Sequence, residues 1–175
     1  GNAGTATRTV TVEDTTPPFL PSAATITVEL GGTYVEPGYT PTDLDTFTVV
    51  TTGTVDTNTV GKYTITYTVT DASGNVAVKT RSVYVEDTTP PFLPSAATIT
   101  VELGGTYVEP GYTPTDLDTF TVVTTGTVDT NTVGKYTITY TVTDASGNVA
   151  VKTRSVYVED TTPPVFTSSA NFSAD

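Results

Sequence analysis

Lys62-Tyr63-Thr64-Ile65-Thr66-Tyr67-Thr68-Val69-Thr70, followed by Asp71-Ala72-Ser73-Gly74-Asn75, decides the fold class. Tyr63, Ile65, Tyr67 and Val69 fall on one side of an extended chain and four threonines on the other, the period-2 pattern of a half-buried strand. The Asp-Ala-Ser-Gly-Asn run is turn chemistry. Residues 76–86 read as the strand that returns from it. Within that strand the apolar positions change parity, from Val76 and Val78 to Val83 and Val85. A strand that faces one core throughout needs an extra residue to do this, so a β-bulge is expected between Lys79 and Ser82.

Upstream, residues 24–30 alternate with Ile26, Val28 and Leu30 inward until Gly31-Gly32. Residues 33–36 resume an extended pattern up to the Pro37-Gly38 turn signal, and residues 47–55 give a further stretch. Threonine fills 19 of the 73 positions from 14 to 86, and with Val, Ile and Tyr this is strand composition. No stretch has a helical period. Short strands separated by turns imply an all-β fold of sandwich type.

The same segment occurs twice. Residues 14–86 are identical to residues 87–159, a period of 73. Fixed-period identity means an array of modules, and two identical modules cannot hold different active sites. Four segments are expected: 1–14 as the last strand of a preceding repeat, 15–86 and 87–159 as complete repeats, and 160–175 as the start of a following domain. Residues 1–14 align with 74–87, so Arg8, Val10 and Val12 match Arg81, Val83 and Val85. The chain therefore reads as a piece of a longer array. A lone strand does not stay ordered by itself. Residues 1–14 are expected to pair with a domain edge or with residues 165–175 of a neighbouring chain. The two complete repeats are expected end to end, because only Glu86-Asp87-Thr88-Thr89-Pro90-Pro91 joins them and its prolines favour extended backbone.

Composition excludes several functions. The chain has no Cys and no His, and its formal net charge is −12. Disulfides, thiolate nucleophiles, imidazole bases and the usual zinc ligands are absent together. An acidic, lysine-poor surface repels nucleic acid and anionic membranes, and no apolar run approaches the ~18 residues of a membrane span. Catalysis would need Ser or Thr with a Lys or carboxylate base; Ser22, Ser73 and Ser82 lie in no nucleophile context. Asp43 and Asp45 form a carboxylate pair, but a repeat of this size lacks a cleft for a glycoside. The chain is read as no enzyme. A Lys–Asn or Lys–Asp isopeptide would require Lys62 or Lys79 to be buried. Tyr34, Tyr39, Tyr63, Tyr67 and Tyr84 suggest a sugar platform at most weakly: Tyr63 and Tyr67 are assigned to the core, and the other three are too scattered for a site.

The runs Asp-Thr-Thr-Pro-Pro, Ile-Thr-Val-Glu-Leu-Gly-Gly-Thr-Tyr-Val-Glu-Pro-Gly-Tyr and Val-Gly-Lys-Tyr-Thr-Ile-Thr-Tyr-Thr-Val-Thr-Asp-Ala-Ser-Gly-Asn resemble bacterial immunoglobulin-like domains, in the family named for an insecticidal crystal protein. The resemblance covers 15–159 and implies tandem immunoglobulin-like β-sandwiches, used mostly as stalks and adhesive modules on cell surfaces. It also implies that Tyr63 occupies the tyrosine-corner position. The segment Thr42-Asp43-Leu44-Asp45-Thr46 departs from the family in being shorter than its Asp/Gly-rich loop. Residues 164–175 resemble the opening strand of a cadherin-like repeat.

Cation binding is the one chemistry that the acids suggest. If the strands follow immunoglobulin-like parity, Asp43, Asp45, Asp71 and the incoming Glu13-Asp14 gather at one tip. Glu86, Asp87, Asp116, Asp118 and Asp144 do so for the second repeat. Calcium takes six to eight oxygens of this kind. The bland alternative is that Asp14 and Asp71 cap turns and the others are solvated. No cofactor is required, with calcium at the domain junctions as the candidate. The expected role is an extracellular stalk segment, on a cell surface or secreted, of a repetitive surface adhesin. Its partners would be neighbouring immunoglobulin-like domains, with an unknown ligand bound elsewhere in the protein. A weak binding module acting by avidity, or an accessory domain of a secreted enzyme, remain the alternatives.

Overall fold

Four strands form one sheet in the first half of the chain: β1 (Ile26–Glu29), β2 (Phe47–Thr52), β3 (Gly61–Asp71) and β4 (Val76–Glu86). The computed structural model describes residues 1 and 3–165. The expectations attached to 166–175, including the cadherin-like opening strand and its pairing role, lie outside the described residues, as does Asn2. The chain divides into two compact units, Gly1–Thr88 and Thr89–Asp175.

The sheet of the first unit runs in the order β1-β4-β3-β2, with β1 parallel to β4 and the other neighbours antiparallel. β3 follows the alternation read from its sequence. Ile65, Tyr67 and Val69 are buried, and the intervening threonines face outward. Ile65, Tyr67 and Val83 form the core, covered by Ala23, Ile26, Val28, Tyr34, Tyr39, Val55 and Tyr63. Each fully buried valine adds roughly 1.5–3 kcal/mol. The second layer of this β-sandwich is mostly irregular chain, tied by a single bridge between Phe19 and Thr42. Gly53 ends β2. Its φ is 105°, and a Cβ there would lie 2.4 Å from the Thr64 carbonyl oxygen, so only glycine fits.

Three local expectations are overturned. First, β3 and β4 pair in unbroken register from Gly61↔Val85 to Thr70↔Val76, with no bulge between Lys79 and Ser82. The inward parity that Val83 and Val85 establish continues through Arg81, which is buried, while Val76 and Val78 face outward. Second, residues 33–36 form no strand. The nearby carbonyls of Ala24 and Gly38 accept from the Arg81 guanidinium instead. Third, the described part of residues 1–14 forms no strand and is exposed up to Glu13. These residues correspond in sequence to β4, and among the described residues β1 and β3 already pair with β4 itself, leaving no strand of this chain paired with residues 1–14.

The second unit repeats this plan with β5 (Ile99–Glu102), β6 (Phe120–Thr125), β7 (Gly134–Asp144) and β8 (Val149–Glu159), in the order β5-β8-β7-β6. Ile138, Tyr140 and Val156 form its core.

Candidate metal centre

Asp71 closes β3 and is only 5% exposed. The turn after it is folded onto its carboxylate. The Asn75 backbone N–H donates to Oδ1 at 2.7 Å, and the Asn75 side-chain amide donates to Oδ2 at 2.9 Å. Burial pushes this carboxyl up, but the donors from Asn75, Ser73 and Gly74 outweigh it and hold the group below the usual aspartate range. Asp71 is therefore an anion at neutral pH.

The same Asn75 amide donates to the backbone oxygen of Asp14 at 3.1 Å, which fixes the incoming chain beside the turn. Asp14 in turn accepts from the Thr16 N–H at 2.9 Å. The third carboxylate arrives through the Phe19–Thr42 bridge, whose two backbone bonds of 2.9 and 3.1 Å hold the residue before Asp43 against the incoming segment. Asp43 accepts from the Asp45 N–H at 2.9 Å. One oxygen each from Asp14, Asp43 and Asp71 lies within 4.8 Å of the other two. An ion with oxygen ligands at ~2.4 Å sets its ligands at most about 4.8 Å apart. Three hard anionic donors at this spacing fit calcium. The turn bonds of the bland alternative are present as well, and each leaves carboxylate lone pairs available.

Not every expected ligand joins the tip. Glu13 is exposed, since consecutive residues of an extended chain point to opposite sides. Asp45 is exposed and its carboxylate accepts from the Thr46 N–H at 2.8 Å. Asp118 does the same with Thr119 at 2.6 Å. Glu86 stands exposed at the opposite end of its strand, paired in register with Glu29. In the second unit, Asp116 and Asp144 repeat the local bonding of Asp43 and Asp71. Asp87 is the sequence counterpart of Asp14.

A second cluster was invisible in the sequence reading. Arg81, 6% exposed, donates from Nε to the Tyr67 hydroxyl at 2.7 Å and from its terminal nitrogens to Ala24 O and Gly38 O, each at 3.1 Å. Tyr67 donates to Glu36 Oε1 at 2.6 Å, and Tyr34 donates to the other Glu36 oxygen. Tyr39 stacks on Tyr67 with ring centroids 4.5 Å apart. Tyr34 and Tyr39, two of the three tyrosines expected to be scattered, thus gather with the core Tyr67 in one internal network. Burial pushes the Tyr34, Tyr67 and Tyr39 hydroxyls up, and the Glu36 carboxylate adds to the effect on the first two. Burial alone would raise Glu36. The two tyrosine O–H donors, the Arg81 charge and the Gly38 N–H outweigh it and hold Glu36 below the usual range. The available signal was the inward parity of residue 81. Tyr63 meets its expectation, donating to the Thr59 carbonyl at 2.8 Å as a tyrosine corner does. Lys62 is exposed on the outer face, over the Tyr84 ring, and so lacks the burial that an isopeptide requires.

The domain family described as "Bacterial surface protein, Ig-like domain" matches residues 20–85 and again 93–158. The chain belongs to this family. Its two Ig-like domains are also similar to two hyalins. One, from Lytechinus variegatus, is 37% identical over 189 residues that cover 94% of this chain and 36% of the hyalin. The other, from Strongylocentrotus purpuratus, is 40% identical over 183 residues, covering 92% of this chain and 15% of the hyalin. The Ig-like chain thus spans well under half the length of these relatives. Among solved structures, Drosophila N-cadherin EC1-4 matches with a TM-score of 0.41 at 13% identity, over 83% of this chain and 50% of that one. Human mucin-like protocadherin EC1-2 matches with a TM-score of 0.37 at 14% identity, over 82% and 98%. As a member of a surface-protein family, the chain is of the surface or extracellular type. Among the described residues, no helix is long and apolar enough to cross a membrane.

Proposed function

We propose that this chain is an extracellular spacer segment of an adhesion-type surface protein, carrying a distal binding region on repeated Ig-like domains whose acidic tips hold calcium. The observation that carries the reading is the pair of letter-for-letter identical domains, both matched by a surface-protein family. Identical modules add number, and number supplies length. We read the segment as non-enzymatic, since its ionised and hydroxyl side chains serve turns and an internal network.

Calcium enters the proposal through the Asp14, Asp43 and Asp71 oxygens. Bound there, the ion would offset two of the three negative charges held together by the turn and the bridge, and would stiffen the incoming chain against the repeat. The corresponding sequence set in the second repeat is Asp87, Asp116 and Asp144. Ligand binding that favours the folded state adds RT ln(1 + [L]/Kd), roughly 2.7 kcal/mol at a hundredfold excess over Kd. Thermal unfolding in millimolar calcium should occur at higher temperature than in EDTA, and Asp43→Asn with Asp116→Asn should remove the difference. An identical melting temperature in both buffers would rule out the calcium part.

One observation favours the alternative of a repeated binding module. Thr16, Pro17, Phe19, Thr42, Asp43 and Leu44 line an open groove with Phe19 and Leu44 exposed. Glycan and surface-extract binding by the chain, lost on Phe19→Ser with Phe92→Ser, would favour the module over the spacer.

A further inference from the structure

β2 is an edge strand that nothing blunts. It pairs with β3 on one side only, and all six residues of Phe47–Thr52 are exposed. Its open edge can be read from the ladder. Asp71 N–H bonds to Asn75 O in the register of β3 with β4, so the odd residues of β3 bond toward β4 and the even ones toward β2. Thr66, Thr68 and Thr70 therefore bond Thr52, Val50 and Thr48. Ala72 N–H donating to Thr46 O at 2.9 Å has the same phase. The N–H and C=O groups of Phe47, Val49 and Thr51 are left pointing out of the sheet.

Natural edges are usually protected by Lys, Pro, a bulge or an inward charge. β2 has none of these. Its sequence, Phe-Thr-Val-Val-Thr-Thr, is uncharged and rich in β-branched residues. That absence of charge stands out in a chain of net charge −12. Of the eight acids in residues 14–86, none falls between Asp45 and Asp56. The outward faces of β3 and of β4 up to Ser82 carry Thr64, Thr66, Thr68, Thr70, Val76 and Val78 and no acid. Two copies meeting through most of their surface repel one another. Two copies meeting through β2 set no acids face to face and are opposed only by their overall net charge.

We propose that β2 is a docking edge for a second copy of this chain, the two β2 strands pairing antiparallel about a two-fold axis so that one sheet runs through both molecules. Centring the axis on Val49 sets Val49 opposite Val49, Phe47 opposite Thr51 and Thr48 opposite Val50. It aligns about six backbone hydrogen bonds. Asp45 then faces Gly53 of the other copy, so no acid opposes another. β6 (Phe120–Thr125) offers the same edge in the second unit, with Ala145 N–H on Thr119 O at 2.9 Å giving the same phase. Each chain therefore offers two such edges, one in each unit.

The test is sedimentation velocity of the full chain over a concentration series, at low salt and at salt high enough to screen the net charge. Reversible association that strengthens with salt is expected. Val49→Pro with Val122→Pro should abolish it, because the proline removes an N–H that faces the open edge and no bond within the sheet. Val50→Lys with Val123→Lys should abolish it too, and decides the matter if the proline variant does not fold. Retained β circular dichroism and melting temperature establish that a variant is folded. A wild-type chain that stays monomeric throughout, or a folded variant that associates as the wild type does, overturns the proposal.

Discussion

The carboxylate tip and the Arg81 cluster lie in the same repeat and solve opposite problems. At the tip, three aspartates converge, and among the described residues the hydrogen-bond donors to their carboxylates are neutral N–H groups. In the interior, the Glu36 carboxylate has the Arg81 guanidinium 3.6 Å away and two tyrosine hydroxyls as donors. One site is electrically closed by the fold; the other is left open to an external cation. A charge compensated from within serves stability, and a charge left uncompensated on an ordered turn leaves a place for a ligand.

The largest break in this comparison comes from removing the internal cation. Arg81→Met leaves Glu36 without its neutralising charge and the Tyr67 hydroxyl and the Ala24 and Gly38 carbonyls without their donor, a loss of about 3–5 kcal/mol for one half of a buried pair. The second repeat has the same sequence and serves as an internal reference. Denaturant unfolding should split into two transitions, with the first repeat melting earlier. A single transition at the wild-type midpoint would show that the network does not hold the fold.

pH acts on the network from both ends and on the tip from the acid side. Glu36 and Asp71 have folded pKa values below their ordinary 4.5 and 3.8, so their stabilisation is present above those values. It is lost as pH falls through the lowered values, when the folded state must take up protons it binds poorly. Tyr34, Tyr39 and Tyr67 have folded values above 10.0, so their stabilisation is complete below pH 10 and lost as pH rises through the raised values. Melting temperature against pH should show a plateau between these limits. A decline beginning near neutrality would contradict it.

The tip should respond differently. Asp43→Asn with Asp116→Asn in EDTA relieves like-charge repulsion and is expected to change stability by less than about 1 kcal/mol, in the stabilising direction. With calcium present, the same variant is expected to be less stable than wild type. That reversal of sign separates an ion site from a cluster of turn-capping aspartates, for which calcium changes nothing. The tyrosine corner should not distinguish the two buffers. Tyr63→Phe removes one hydrogen bond, that to Thr59 O, and should cost about 1 kcal/mol in either buffer.

Much of this was legible from pattern. β3, its inward face and the turn at Asp71–Asn75 follow from strict alternation and Asp/Gly/Asn chemistry. Asp14, Asp43 and Asp71 were expected together because strand parity returns their loops to one end. Arg81 was hidden by the assumption that a buried face must be apolar. Val76 and Val78 then looked like the inward residues and invited a bulge, although the register never breaks. The segment 33–36 misled for a related reason. Its alternation is real, but it sends Tyr34 and Glu36 into the network, and no strand pairs with its backbone.

The sequence alone determined the repeat, the all-β class, the acidic surface and the absence of imidazole and thiol chemistry, because identity, period and composition need no coordinates. Tertiary structure decided which acids share an ion's reach, which tyrosines meet, and that an arginine belongs to the core. Those facts depend on residues 14 to 61 positions apart converging across a turn, a bridge or a sheet, and no local pattern in a chain encodes the partner at such a distance.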